Sequence, residues 1–159
     1  MTFDLIFVDY FYNNIVMKVN IKKLNPNAKI PSYAKPGDAG MDLTAITCQR
    51  DEYDNYVYGT GLAIEIPEGY VGLIFPRSSN RKTSAYLTNH VGVIDSGYRG
   101  EVMLTYKSRD FVTRDAAPYN IGDRVGQIII IPYPPIEFNE VAKLSETERG
   151  EGGHGSTGK

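Results

Sequence analysis

Asp95 and Tyr98 lie three residues apart in the stretch from His90 to Glu101, separated by the turn dipeptide Ser96-Gly97. Across a tight turn, a carboxylate and an aromatic ring can face one cavity, the acid to polarise a water and the ring to stack on a flat or sugar-like ligand. The same pair also reads as a turn-capping Asp and a half-buried Tyr, which any β-protein supplies. A second group follows Pro76: Arg77, Ser78, Ser79, Arg81, Lys82, Thr83 and Ser84 put three cations among hydroxyls. A planar guanidinium with neutral donors suits a phosphate, and a short helical turn here would aim its amino end at an anion. Its plainer reading is a solvated basic loop.

Three further stretches carry isolated polar groups. Asp42 follows Ala39-Gly40-Met41 at a strand entry, and alone it is an ordinary hydrogen-bond acceptor near glycine. Gln127 opens the apolar run Ile128–Ile131, either as an exposed strand end or as a donor turned into a site. The tail, residues 145–159, holds Arg149, His154, Gly155, Ser156 and Thr157 and no core-forming residue. Its composition predicts a flexible arm able to fold over an anionic ligand and order on binding. The Gly153 to Gly158-Lys159 spacing resembles a P-loop, but no Ser or Thr follows, no strand immediately precedes, and no helix can follow.

The elements that must position these residues read as strands. Lys18–Lys23, Ala39–Thr44, Tyr56–Ile66, Tyr70–Phe75, Gln127–Ile131 and Ile136–Leu144 are extended runs, punctuated by Asn25-Pro26-Asn27, Pro36-Gly37-Asp38 and Pro67-Glu68-Gly69. Val91, Val93 and Ile94 run into the Asp95–Tyr98 turn, and Gly100 lets the chain restart as Glu101–Tyr106. That pattern predicts a hairpin with Asp95 and Tyr98 at its tip. The spacing is that of a β-meander, and Lys107–Asn120 reads as polar and irregular. No four-turn helical pattern or repeat emerges, so the expected architecture is all-β, a compact jelly-roll-like barrel or sandwich with at most one short helix and a flexible C-terminal arm.

Composition narrows the function classes. A chain of 159 residues fits one domain, and its net charge of −2 argues against nucleic-acid or acidic-membrane binding, so any phosphate site must be local. The single cysteine, Cys48, excludes an internal disulfide and a thiol metal site and suits a reducing cytoplasm, of the cell or of a host. Residues 1–16 are apolar and aromatic yet lack a basic start or cleavage site. They form neither a secretory signal nor a membrane span, but an added strand or an upstream mis-start before Met17. The expected division is therefore an extension over 1–16, a β domain over 17–144 and a glycine-rich lid over 145–159.

Taken in order, five stretches resemble the signature of the trimeric dUTPase family. They are Ala39–Leu43, Pro76–Ser79, Asn89–Gly100, Gly122–Ile128 and Arg149–Gly158, and the resemblance runs from Lys18 to the C-terminus. It implies hydrolysis of dUTP to dUMP and pyrophosphate, with Mg²⁺ on the triphosphate, in a homotrimer whose sites are shared between subunits. By the same resemblance Asp95 activates the attacking water, and Tyr98 lies against the deoxyribose and refuses a 2′-hydroxyl. Asn89 pairs with uracil, and main-chain groups of Gly92, Val93 and Ile94 complete a narrow base slot. Arg77 and Arg149 neutralise phosphate charge, and Ser78 donates to a bridging or α-phosphate oxygen. Gly155, Ser156 and Thr157 grip the outer phosphates, while Asp42 and Gln127 contact the hydration shell of Mg²⁺ without binding it directly. His154 stands where the family usually has phenylalanine over the uracil, which implies a weaker or pH-sensitive lid. Ser79 replaces a frequent glycine without evident consequence.

Two other readings are weighed against this one. A dCTP deaminase resembles the fold and carries an Arg-Ser-Ser stretch, but that family lacks the Asp-x-x-Tyr pair. A non-catalytic nucleotide-binding regulator would use the same fold, but every catalytic position is filled here.

Overall fold

The structure is a computed structural model describing residues 16–109 and 116–153. Among these residues ten strands form in chain order: β1 (Asn20–Lys23), β2 (Met41–Thr44), β3 (Thr47–Arg50), β4 (Tyr56–Gly59), β5 (Leu62–Glu65), β6 (Tyr70–Phe75), β7 (Ala85–Leu87), β8 (Gly92–Ile94), β9 (Met103–Ser108) and β10 (Arg124–Pro132). One 3₁₀ segment, Ser78–Lys82, lies between β6 and β7, and the described residues contain no α-helix. The apolar and β-branched runs become strands, and the Pro- and Gly-rich stretches between them become turns.

All pairing is antiparallel. One four-stranded sheet has the order β2-β10-β6-β8, the other β3-β4-β9-β7, and β1 and β5 form a two-stranded ribbon. Most neighbours are distant in sequence, so the connectivity is that of a jelly roll and not of the expected meander. Leu43, Ile74, Val125 and Ile128 of the first sheet and Tyr58, Leu104 and Tyr106 of the second meet in one core with Ile66 and Val102. Tyr58, Tyr106 and Tyr119 pack edge to face there, with centroids 5.2 to 6.0 Å apart. Each such pair contributes about 0.5–1.5 kcal/mol beyond its buried area. Their hydroxyls are satisfied by main chain and by Asn80: Tyr58 donates to the Tyr119 carbonyl, Tyr106 to the Val125 carbonyl and Tyr119 to Asn80 Oδ1.

Three expectations need correction. The hairpin around Asp95 is absent: β8 pairs with β6 in one sheet and β9 with β4 and β7 in the other, so residues 95–102 cross between sheets. A local turn signal cannot specify which edges the flanking strands join. The strand expected at Ile136–Leu144 does not form, and Ile136, Phe138 and Leu144 are 74%, 94% and 80% exposed. An extended segment becomes a strand only when an edge completes its ladder, and the described residues offer it none. The run expected to end at five residues is the nine-residue β10, whose pairing with β2 is interrupted by a register shift between Arg124 and Gly126.

Candidate functional site

The Asp95–Tyr98 turn closes with Tyr98 N–H donating to the Asp95 carbonyl at 3.1 Å. Tyr98 folds back so that its hydroxyl donates to the Glu101 carbonyl at 2.9 Å. Its ring lies where a Cβ on residue 100 would sit, so any larger residue there would have to displace Tyr98. Glu101 is fixed in turn, since its Oε1 accepts from Gly61 N–H at 2.6 Å. Asp95 and Tyr98 line one hollow of about 270 Å³ with Val93, Ile94, Glu101, Met103 and Thr105. Among the described residues nothing donates to the Asp95 carboxylate, which is exposed and available to a ligand or water. Val93 is 60% exposed at this hollow. Asn89 sits beside it in sequence, its Nδ2 close to the buried Gly92, where a Cβ would also press on Ile74. The turn at Asn89 places His90 at a positive φ of 59°.

The second cluster lies at the end of β6 and across to β2 and β10. Asp42 Oδ1 accepts from Arg77 Nε at 2.7 Å and Oδ2 from Arg124 Nη1 at 2.9 Å, so one carboxylate holds two guanidinium groups. Arg77 Nη1 also donates to Ser79 Oγ at 3.2 Å. Gln127 lies opposite Asp42 in the β10–β2 register, and its Nε2 donates to the Pro76 carbonyl at 3.1 Å. Gln127 Oε1 occupies the space that a side chain at position 40 would need, which accounts for Gly40. Ser78 opens the 3₁₀ segment and is exposed, its hydroxyl unpaired among the described residues. The segment is held from below: Asn80 Oδ1 accepts from Tyr119 Oη at 2.7 Å and Asn80 Nδ2 donates to the Ala85 carbonyl at 3.1 Å. Burial raises the Tyr119 phenol above its ordinary range, which keeps it a hydrogen-bond donor.

The expected site residues therefore fall into two groups. Asp42, Arg77, Ser79 and Gln127 are brought together, while Asp95 and Tyr98 line a separate hollow. Arg149 donates from Nε to its own turn, at the Gly152 carbonyl, 2.9 Å away. His154, Gly155, Ser156 and Thr157 lie outside the described residues. Arg124, Asn80 and Tyr119 were not legible as partners of the cluster, because their positions depend on which strands pair. The signal for Arg124 was its place three residues before Gln127 on the strand that faces Asp42.

A jelly roll presenting an unpaired carboxylate beside a phenol, and a guanidinium–serine loop at another end, has the equipment to handle a nucleoside phosphate. Comparison with known proteins agrees. The dUTPase family profile matches residues 26–158. The deoxyuridine 5′-triphosphate nucleotidohydrolase of Nocardia farcinica is 38% identical over 146 residues, covering 88% of this chain and 85% of that protein. That of Acinetobacter baumannii is 40% identical over 152 residues, covering 90% and 99%. A variant of the Staphylococcus bacteriophage 80alpha dUTPase, solved with dUpNHpp, is 28% identical with a TM-score of 0.76, covering 91% of this chain and all of that one. A variant dUTPase from phage phi11 of S. aureus, whose structure concerns coordination of a structural Mg(II) ion, is 27% identical with a TM-score of 0.68, covering 80% and 99%. This chain belongs to the dUTPase family.

Proposed function

We infer that the protein is a dUTP diphosphatase, splitting dUTP into dUMP and pyrophosphate and so limiting uracil in DNA while supplying dUMP for thymidylate synthesis in the cytoplasm of its cell or host. The observation that carries the mechanism is the Asp95 carboxylate, unpaired among the described residues and sharing a hollow with Tyr98. Asp95 accepts a proton from a water whose oxygen bonds to the α-phosphorus. The bond from that phosphorus to the bridging oxygen breaks, and pyrophosphate departs with its electron pair. Tyr98, held flat over Gly100, packs on the deoxyribose and leaves no space for a 2′-hydroxyl. Asn89 and the backbone of Gly92, Val93 and Ile94 read the uracil edge.

The triphosphate requires charge neutralisation more than covalent chemistry. Arg77, Ser78, Arg149 and the Gly155–Thr157 stretch supply donors for it, with His154 closing over the base. The described residues contain no metal-binding cluster, and both Asp42 oxygens are occupied by guanidinium groups, so direct coordination by Asp42 does not fit. A Mg²⁺ held by the phosphates does fit, with Asp42 and Gln127 meeting its water shell, where it would offset phosphate charge.

Two copies contributing to one site would bring both clusters onto one substrate. Gly72 of β6 pairs with Ile94, so Asp95 lies near the start of β6, whereas Arg77 follows its end. The five residues from Gly72 to Arg77 span about 16 Å at strand rise, beyond the reach of an arginine side chain. The exposed apolar residues Ile136, Phe138 and Leu144, unpacked on their own chain, support assembly as well. A homotrimer with shared sites is the reading that accommodates both. A pyrophosphate-release assay over dUTP, UTP and the four standard deoxynucleotides tests it. Release from dUTP alone supports the reading, and inert dUTP overturns it.

A further inference from the structure

Within itself the Asp95–Tyr98 turn is tied by one backbone hydrogen bond and by the Tyr98 hydroxyl on the Glu101 carbonyl. β8, which leads into it, is three residues long at the edge of its sheet, and a side chain at Gly97 would meet open space. On its other side lies a second hollow, of about 460 Å³, lined by Lys18, Asn20, Glu65, Ser96, Gly97 and Arg99 among others and sharing no residue with the first. There Arg99 Nη1 donates to the Ser96 carbonyl at 2.6 Å and to the Tyr98 carbonyl at 2.9 Å. Its Nη2 donates to Glu65 Oε1 at 3.0 Å. Glu65 is itself fixed, because Oε2 accepts from Asn20 Nδ2 at 2.8 Å and the two residues are register partners on β5 and β1.

We propose that Arg99, anchored by Glu65 and Asn20, is a positioning residue that sets the angle of the Asp95–Tyr98 turn, and so tunes both turnover and the preference for deoxyribose over ribose. The inference rests on the dUTPase reading above. Arg99 lines the opposite hollow from Asp95 and Tyr98 and acts through the backbone carbonyls on either side of Gly97. The planar fork is what the job demands. One nitrogen spans two turn carbonyls while the other reaches a strand-borne carboxylate, a geometry a lysine ammonium cannot reproduce. The hydrogen bond from Asn20 and the charge of Arg99 hold the Glu65 carboxyl below its ordinary range, so the anchor stays ionised at neutral pH. Both side chains are about half exposed, so their loss acts locally and leaves global stability nearly unchanged. Misplacing a catalytic group by an ångström is enough to lower turnover strongly.

The test compares Arg99→Gln, Arg99→Lys, Glu65→Gln and the double variant Arg99→Gln with Glu65→Gln, using dUTP and UTP as substrates. Arg99→Gln is expected to lower kcat for dUTP roughly tenfold or more, and to lower the dUTP:UTP ratio of kcat/KM as the phenol shifts from the sugar. Arg99→Lys follows Arg99→Gln and not the parent. Glu65→Gln loses less, and the double variant adds little to Arg99→Gln, because the pair acts as one unit. Melting temperatures stay within about 3 °C of the parent. An unchanged dUTP:UTP ratio in all three single variants, or an activity loss that only follows the melting temperature, overturns the proposal. A parent protein inert towards dUTP defeats the functional reading instead, so the two failures are distinguishable.

Discussion

The carboxylate of Asp95 and the carboxylate of Asp42 sit in opposite circumstances. Asp95 projects from an inter-sheet turn and meets no donor among the described residues, whereas Asp42 lies on β2 against β10 and accepts from Arg77 and Arg124. The first is left without a protein donor among the described residues. The second holds the Arg77 and Arg124 guanidinium groups in place. A carboxylate that accepts from two guanidinium groups spends about half of its lone-pair sites on them, and one without partners costs little to hold in place only if it stays exposed. The contrast is the one expected if Asp95 does the chemistry and Asp42 the positioning, with the two regions drawn from different copies, as proposed above.

Substitutions can break that contrast at either end. Asp95→Asn is expected to lower kcat about 10²- to 10⁴-fold while preserving nucleotide affinity and melting temperature. A parallel loss of affinity would show that Asp95 binds and does not activate. Arg77→Ala should lower kcat/KM about 10²- to 10³-fold, in the manner of a lost donor to developing charge. Unlike Asp95→Asn, it should also lower stability by about 1–3 kcal/mol in urea unfolding, because Asp42 and Arg77 are each about three-quarters buried.

The tyrosine cluster beneath the 3₁₀ segment gives a pH test of the same contrast. Burial raises the phenols of Tyr58 and Tyr106 above the ordinary value of 10.0. Their contribution to stability is whole below pH 10 and declines above it, where unfolded phenols ionise and buried ones do not. Alkaline unfolding monitored by phenolate absorbance should therefore begin above about pH 10, with ionisation and unfolding in one transition. Phenolate signals from all twelve tyrosines at ordinary pH before any unfolding would contradict the burial. The smallest effect belongs to the arm. His154→Phe is expected to tighten dUTP binding by about 1 kcal/mol and to remove a dependence of KM on pH around 6.5, measured from initial rates between pH 5.5 and 8.

Much of this was readable from residues alone, and the failures share a cause. β6 matches its expected span, Tyr70–Phe75, because apolar, aromatic and β-branched residues broken by Gly72 alone run between Gly69 and Pro76. The strands that escaped notice, β3 and β7, are the two edges of one sheet. Thr47–Arg50 is mostly polar and Ala85–Leu87 is three residues long, so neither carries a periodic signal. The turn chemistry at Asp95 was legible, but the partners of its flanking strands were not, since hydrogen bonding to distant β6 and β4 leaves no local mark. The pairing of Asp42 with Arg77 and Arg124, 35 and 82 residues away, was hidden for the same reason. Arg99 carried no separate signal in the sequence, because its anchor Glu65 lies 34 residues earlier.

Subunit complementation tests the two-copy active site most directly. Asp95→Asn and Arg77→Ala proteins, each nearly inactive, would be unfolded together, refolded as a mixture and assayed for pyrophosphate release from dUTP. Mixed assemblies should regain activity well above either parent variant, because some sites then combine an intact Asp95 from one copy with an intact Arg77 from another. A mixture no more active than its components would place both groups at one site within a single chain and contradict the account.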